Sequence, residues 1–453
     1  MMQMQKKIFN IICGKYKKKY NFHFVGIGGV SMNSLAMYIL NLGQGVSGSD
    51  TKKTANTKKL ALRGAKIFYG HSENNIRNCD YVIYSFAVKD NVEVKKAKDL
   101  KIPVLSRAEF LSLILKKYKT SICVAGAHGK TTTTALIYSV LKEAGLNPSL
   151  HLGGTLLSEN IFYTYTNSDY IVCEACEYND AFLKLNPKIA VVLNTAPEHL
   201  DYFKTYENVK KSFIKFGNKA NVLFCANEHN YIKNNNKAIY LGKNGDFKAR
   251  NIKILQNGGY VFDVYKHKKY FGRFMLNVLG EYNIYNALFA VAIGDLFGIN
   301  KKIIRVALKR FAGVYRRMEK ISLSPLIYCD YAHHPDEINA CLKEMDKYYK
   351  NKLFIIFQPH TYSRTKSLMD KFIKCFKGRD VVIYKTFSAR EKYNKQGSAK
   401  KLAQEIGENA TFCKSINKLI EIIKQKSKQG YTTIILGEGD LEEKIRLKFK
   451  RLN

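Results

Sequence analysis

The stretch that most limits what this chain can fold into is Gly126-Ala127-His128-Gly129-Lys130-Thr131-Thr132, which joins an apolar run, SICVA, to a helix-forming run. A glycine-rich loop between a strand and a helix turns several backbone N–H groups toward one point. The helix N-terminus adds the positive end of its dipole there. The segment from Gly126 through Thr132 is therefore expected to cradle an anion. Lys130 would reach the β- and γ-phosphates of a nucleotide, and the Thr131 hydroxyl would ligate Mg²⁺. The spacing is GxxGKTT, shorter than the usual GxxxxGKT, but strand, loop, Lys-Thr pair and helix all agree.

The pattern of strand, glycine-rich turn and helix recurs along the chain, which is the signature of doubly wound α/β domains. The strand NFHFV runs into Gly26-Ile-Gly28-Gly29-Val-Ser31 and a helix, MNSLAMYILNL, with Asp50 after the second strand at VSGSD. This GxGxxG-like turn has Ser in the third place, and it indicates a diphosphate ligand without saying which one. Taken alone it would suggest an NAD-dependent dehydrogenase, a reading that leaves the Gly126–Thr132 loop unexplained. Further strands are expected at 81–85, 102–105, 170–173, 189–193 and 221–225, and helices at 108–117 and 286–297. A hairpin is expected between Lys248 and Leu279 around Gly258-Gly259. A last set of strands, LIYCD, KLFIIF, DVVIY and TTIIL, follows Met318. The fold expected is α/β with three domains: a Rossmann-like N-terminal domain (1–117), a P-loop-type central ATPase domain (118–316) and a Rossmann-like C-terminal domain (317–453).

Other residues that could carry chemistry sit at strand ends. Glu174 closes IVCE, and His199 follows VVLN in VVLNTAPEHLDYF; each could bring a ligand atom to a metal above the phosphate loop. Asp330-Tyr-Ala-His333-His334-Pro335 and Gln358-Pro-His360-Thr-Tyr-Ser-Arg364 also follow strands, where open parallel sheets bind ligands. The His-His-Pro loop is compatible with a metal, a base or plain packing.

Composition excludes more than it selects. Hydrophobic residues make up 46% of the 453, enough for sizeable cores. No run reaches the roughly 18 apolar residues of a membrane span. The basic N-terminus lacks a long apolar core and a cleavage site, so a soluble cytoplasmic protein without membrane insertion is expected. The formal charge of +38 comes from lysines spread along the whole chain. That spread favours compositional drift over a nucleic-acid surface, and no RNP-like or helix-turn-helix pattern supports a nucleic-acid-binding ATPase. Ten cysteines are scattered, with one CxxC at Cys173–Cys176 and no second knuckle, so reduced thiols are expected.

With these motifs in view the chain resembles the Mur ligases, from about residue 22 to about 445. The resemblance rests on GIGGVSMNSLA, SGSD, GAKIFYGH, IPVLSRAEF, GAHGKTTTT, EACEY, NPKIAVVLN, the Arg316-Arg317 pair, DYAHHPDEI, QPHTYSRT and AREK in order. It implies ATP-dependent ligation of L-alanine to the lactyl carboxylate of UDP-N-acetylmuramate through an acyl phosphate, in peptidoglycan synthesis. ATP and Mg²⁺ are the implied cofactors, and the protein would be a monomer or homodimer. The first domain would hold the UDP-sugar, the second ATP, and the third would bring the amino acid and close over both. By residue, Lys130 and Thr131 would bind phosphates and Mg²⁺, with Glu174 and His199 as further metal ligands. Asn283 would contact the adenine and Arg316 the γ-phosphate. Asp330, His333, His360 and Arg364 would face the reaction zone, with His333 or a nearby carboxylate accepting the amine proton. Gly28, Gly29, Ser31, Asp50, His71 and Arg107 would line the UDP-sugar site. A related ligase that adds a recycled peptide to the same sugar nucleotide shares nearly all these motifs. The chain departs from the family pattern at Ala127 (commonly Thr), Tyr282 (usually His), Glu198 (Asp, here after Pro197), and in Gly437-Glu438-Gly439-Asp440, where a small residue usually stands between the glycines.

Overall fold

The computed structural model describes residues 2–88, 90–233, 237–255, 258–349, 352–389 and 391–449; Arg390 of the AREK motif lies outside them. The chain divides into two compact units. One comprises 1–255, 260–277 and 282–312, the other 256–259, 278–281 and 313–453.

The first unit holds two sheets. Strands β1 (Asn21–Val25), β2 (Gly45–Asp50), β3 (Lys66–Tyr69), β4 (Tyr81–Tyr84) and β5 (Val104–Ser106) form an all-parallel sheet in the order β3-β2-β1-β4-β5. The order reverses at β1, so the turn beginning at Gly26 opens at the crevice where such sheets take ligands. The helix after β5 begins one residue earlier than expected, at Arg107, because Ser106 and Glu109 form a capping box. A helix that sequence reading left out, Met2–Ile12, buries Ile8, Ile11 and Ile12 and packs on Arg107–Leu115.

The second sheet has ten strands: β6 (Thr120–Ala125), β7 (Ser149–Leu156), β8 (Ile161–Thr164), β9 (Tyr170–Glu174), β10 (Ile189–Val192), β11 (Val222–Ala226), β12 (Ala238–Leu241), β13 (Phe247–Ile254), β14 (Tyr260–Lys266) and β15 (Lys269–Leu276). Their order is β15-β14-β13-β12-β11-β10-β6-β9-β7-β8. Central β6 and β10 are buried along nearly their whole length, as strands covered on both faces must be. The hairpin expected between 248 and 279 is a three-stranded antiparallel meander, because a second turn at His267, with φ 51°, folds β15 back onto β14. The helix expected at 286–297 starts a turn earlier, at Tyr282, and packs on the helix Lys130–Glu143.

The second unit has one six-stranded sheet of β16 (Glu319–Leu323), β17 (Leu326–Asp330), β18 (Leu353–Phe357), β19 (Val381–Tyr384), β20 (Ala410–Cys413) and β21 (Thr432–Leu436), ordered β16-β17-β21-β18-β19-β20. All neighbours are parallel except β16 with β17. The loops that follow β17, β18 and β21 leave from the same end of the sheet. No described helix is long and apolar enough to cross a membrane.

Candidate functional site

The glycine-rich loop leaves β6 and enters the helix Lys130–Glu143. Gly129 has φ 83°, and a Cβ there would sit 2.8 Å from Asn286 Oδ1, so only glycine fits. Asn194, at the end of β10, clamps the loop. Its Oδ1 accepts from His128 N at 2.8 Å, its Nδ2 donates to His128 O at 3.0 Å, and its carbonyl accepts from Ala127 N at 3.2 Å. The Lys130 ammonium folds over the loop and donates to Gly126 O (2.5 Å), Ala127 O (3.0 Å) and Glu177 Oε1 (3.1 Å). Burial works to lower its pKa, but the Glu177 and Glu174 carboxylates outweigh it and keep Lys130 charged.

Thr131 Oγ1 donates to Glu174 Oε2 at 3.0 Å, and that oxygen also accepts from Gly153 N of β7 at 2.9 Å. The structure therefore places Thr131 beside Glu174. His199 lies instead beside Glu177, at 3.9 Å. Glu177, Glu198 and His199 present ligand atoms within 4.8 Å of one another. Glu177 is buried and its Oε2 has no partner, an arrangement that favours a cation. Sequence reading passed over Glu177. Its signal was the repeat of a carboxylate three residues after Glu174, just past a strand end. Thr132 lies in the first helical turn, with 8% exposure. Asn283 is buried and accepts from Asn286 Nδ2 at 2.9 Å.

In the first sheet the turn after β1 is fastened by Asp50, whose Oδ2 accepts from Gly28 N at 2.9 Å. A Cβ on Gly28 would sit 2.8 Å from that oxygen. Ser31 Oγ accepts from Arg107 Nη1 at 3.0 Å and lies 2.7 Å from His151 Nε2. His151, on β7, also lies 3.0 Å from Ser34 Oγ and 2.9 Å from Tyr165 OH. Burial, reinforced by Arg107, pushes the His151 pKa down to about 3, so it acts as a neutral bridge between the two sheets. His71 Nδ1 lies 3.0 Å from Ser49 Oγ and 3.5 Å from Glu93 Oε2. Burial works to raise the pKa of Glu93, but the His23 imidazole 3.5 Å away and hydrogen bonds from Ser49 and Asn75 bring it to about 2.

In the second unit the expected residues divide into two groups. Asp330 is a brace: its two oxygens accept from Met318 N and Ala332 N, each at 2.8 Å, and burial raises its pKa. Arg316 is 8% exposed; its Nε donates to Glu442 Oε2 at 2.8 Å and its Nη1 to Glu438 O at 3.4 Å. His333, His360 and Arg364 converge on one carboxylate that sequence reading had not placed, Glu438.

Sequence profiles of the Mur ligase family match three consecutive stretches: "Mur ligase family, catalytic domain" at 21–119, "Mur ligase middle domain" at 124–294 and "Mur ligase, glutamate ligase domain" at 316–439. A UDP-N-acetylmuramate–L-alanine ligase of Caldanaerobacter subterraneus subsp. tengcongensis is 39% identical over 446 residues, covering 95% of this chain and 96% of its own. One from Acetivibrio thermocellus is 40% identical over 437 residues, covering 92% and 93%. Among solved structures, a UDP-N-acetylmuramate-alanine ligase from Thermotoga maritima is 28% identical with a TM-score of 0.81, covering 95% of this chain and 99% of that one. A murein peptide ligase from Psychrobacter arcticus is 23% identical with a TM-score of 0.66, covering 96% and 98%, and shares the fold.

Proposed function

The chain belongs to the Mur ligase family, and on that premise we propose that it joins L-alanine to the lactyl carboxylate of UDP-N-acetylmuramate at the expense of ATP, a step of peptidoglycan synthesis. The observation that carries this reading is the match, at 39% and 40% identity over more than nine-tenths of both partners, to two ligases of that name. The place of action is the cytoplasm, where nucleotide-activated sugars and ATP meet.

A carboxylate and an amine do not condense in neutral water, because the departing oxygen is a poor leaving group. Phosphorylation of the lactyl carboxylate by ATP supplies a better one. Lys130 and the N–H groups of Gly126–Thr132 hold the transferring phosphoryl group and offset its charge. Lys130 exchanges its present acceptors, Gly126 O, Ala127 O and Glu177, for phosphate oxygens. Mg²⁺ would further neutralise the phosphates. The donors that fit it are Thr131 and Glu174 on one side, and His199 with Glu177 and Glu198 on the other. The turn Gly28–Ser31, with Asp50, His71 and Arg107, holds the UDP-sugar, and Asn283 holds the adenine. The amine then attacks the acyl phosphate, with His333, His360 and Arg364 on its side of the reaction.

The test is phosphate release from ATP with Mg²⁺, UDP-N-acetylmuramate and L-alanine, each omitted in turn. Release that needs every component, with an amide product of the right mass, is the expected result. Release with a tripeptide and not with alanine would move the activity to peptide recycling.

A further inference from the structure

Glu438 stands between two glycines that cannot be replaced. A Cβ on Gly437 would come 2.7 Å from Gln358 O, and one on Gly439 would come 2.2 Å from Gln358 Oε1. Gln358 also accepts from Leu441 N and donates to Asp440, so the loop after β21 is pinned on both sides. Glu438 is thus the one side chain of a fixed turn. Its Oε1 accepts from Tyr331 OH at 2.5 Å. Its Oε2 faces His360 Nδ1 at 3.4 Å, Arg364 Nη1 at 3.6 Å and His333 Nε2 at 3.7 Å, all beyond normal hydrogen-bond length.

The proton positions follow from the partners. Arg364 Nη1 lies 3.2 Å from His360 Nδ1, and a guanidinium only donates, so that ring nitrogen is an acceptor. His333 Nδ1 lies 3.1 Å from Tyr331 O, and a carbonyl only accepts, so Nδ1 carries the proton. Nε2 is then the ring nitrogen turned toward Glu438. Burial lowers the His360 pKa, and although burial works to raise that of Glu438, Tyr331, His333, His360 and Arg364 hold it below the usual carboxylate range. The Glu438 carboxylate and the His360 Nδ1 lone pair therefore face one another, while Tyr331 OH serves the other carboxylate oxygen, Oε1, and Arg364 Nη1 is turned to His360. Glu337 adds a further carboxylate 3.5 Å from His333 Nδ1. A group with several N–H donors and a positive charge complements this arrangement.

We propose that Glu438, with His333, is the receptor for the ammonium group of the amine substrate. The proposal rests on the ligase reading above. The ammonium donates to Glu438 Oε2 and His333 Nε2 and passes one proton to His333. The freed amine then forms the C–N bond as the C–O bond to phosphate breaks, and its second proton leaves with the phosphate. Glu438 thus does a task on the amine side at a position where the family pattern has a small residue.

The test compares the full-length protein with Glu438→Gln and Glu438→Ala in two assays. In the first, L-alanine is the acceptor; KM for alanine is expected to rise about 10- to 100-fold, the cost of losing a hydrogen bond to a charged group, with KM for ATP and UDP-N-acetylmuramate within about twofold. In the second, hydroxylamine traps the acyl phosphate; it is largely uncharged at neutral pH and has no ammonium to hold, so hydroxamate yield stays near the parent's and also reports that the variant is folded. Glu438→Asp should restore part of the alanine affinity. An unchanged or lowered KM for alanine in both variants, with hydroxamate still formed, overturns the proposal; a lowered value would mean that Glu438 plugs a carboxylate site. If the parent protein makes no hydroxamate from ATP and UDP-N-acetylmuramate, the ligase reading fails instead.

Discussion

Single residues here act through contacts made far along the chain. The strand, loop and helix that place Lys130 and Thr131 were legible in the sequence because the motif is contiguous. Asn194, Glu177 and Glu438 were not, because each takes its role from a neighbour tens or hundreds of positions away. Lys130→Ala should lower kcat by about a thousandfold or more, while calorimetry finds UDP-N-acetylmuramate still bound; near-normal ligation would refute the role given to the loop. Asn194→Ala removes two hydrogen bonds worth roughly 1 kcal/mol each and should weaken ATP binding about tenfold or more, read as KM for ATP. Glu93 gives a pH signature. Its folded pKa, about 2, lies below the 4.5 of a free glutamate side chain. Its ionised form therefore adds stability above pH 4.5, and that contribution is lost as pH falls from 4.5 toward 2. By linkage it is on the order of 3 kcal/mol. The difference in melting temperature between the parent and Glu93→Gln should be largest near neutrality and shrink through that window.

Elements were readable where one face or both faces were uniformly apolar. SICVA and LFIIF declared themselves as strands because parallel strands covered on both sides need near-unbroken apolar runs, and NFHFV did so by the glycine-rich turn that follows it. Short or half-covered strands did not. In β3 and β8 most residues are only partly buried, and β16 and β20 lie at the edges of their sheet, so none shows a clean period. The meander was underread because the turn at His267 has no glycine. The helix Met2–Ile12 was lost among lysines, yet its three isoleucines are almost wholly buried. Ile8→Ala should cost about 2–5 kcal/mol of unfolding free energy, measured by urea titration. A loss below about 0.5 kcal/mol would mean that this helix is not part of the cooperative core.

For the molecule as a whole, charge and division of labour set the expectations. Every substrate proposed here carries negative charge or a carboxylate, and the chain carries +38. Such a field speeds the encounter with a polyanion and is screened over about 8–10 Å at physiological salt. kcat/KM for UDP-N-acetylmuramate should therefore fall several-fold between 20 and roughly 300 mM salt, more steeply than kcat; a flat profile would mark the lysines as neutral drift. The glycine-rich loop from Gly126 to Thr132 and the cluster around Glu438 are held in different units, each with its own core. Within the first unit one strand has two duties. β7 carries His151, which meets the turn at Ser31, and Gly153, whose N–H holds the Glu174 carboxylate beside Thr131. A small molecule wedged against that strand would disturb the surroundings of Ser31 and of Thr131 together, the two places proposed above for the sugar nucleotide and for phosphate. On that proposal, resistance arising at one place would leave the other still compromised, which makes β7 a better foothold for an inhibitor than either place by itself.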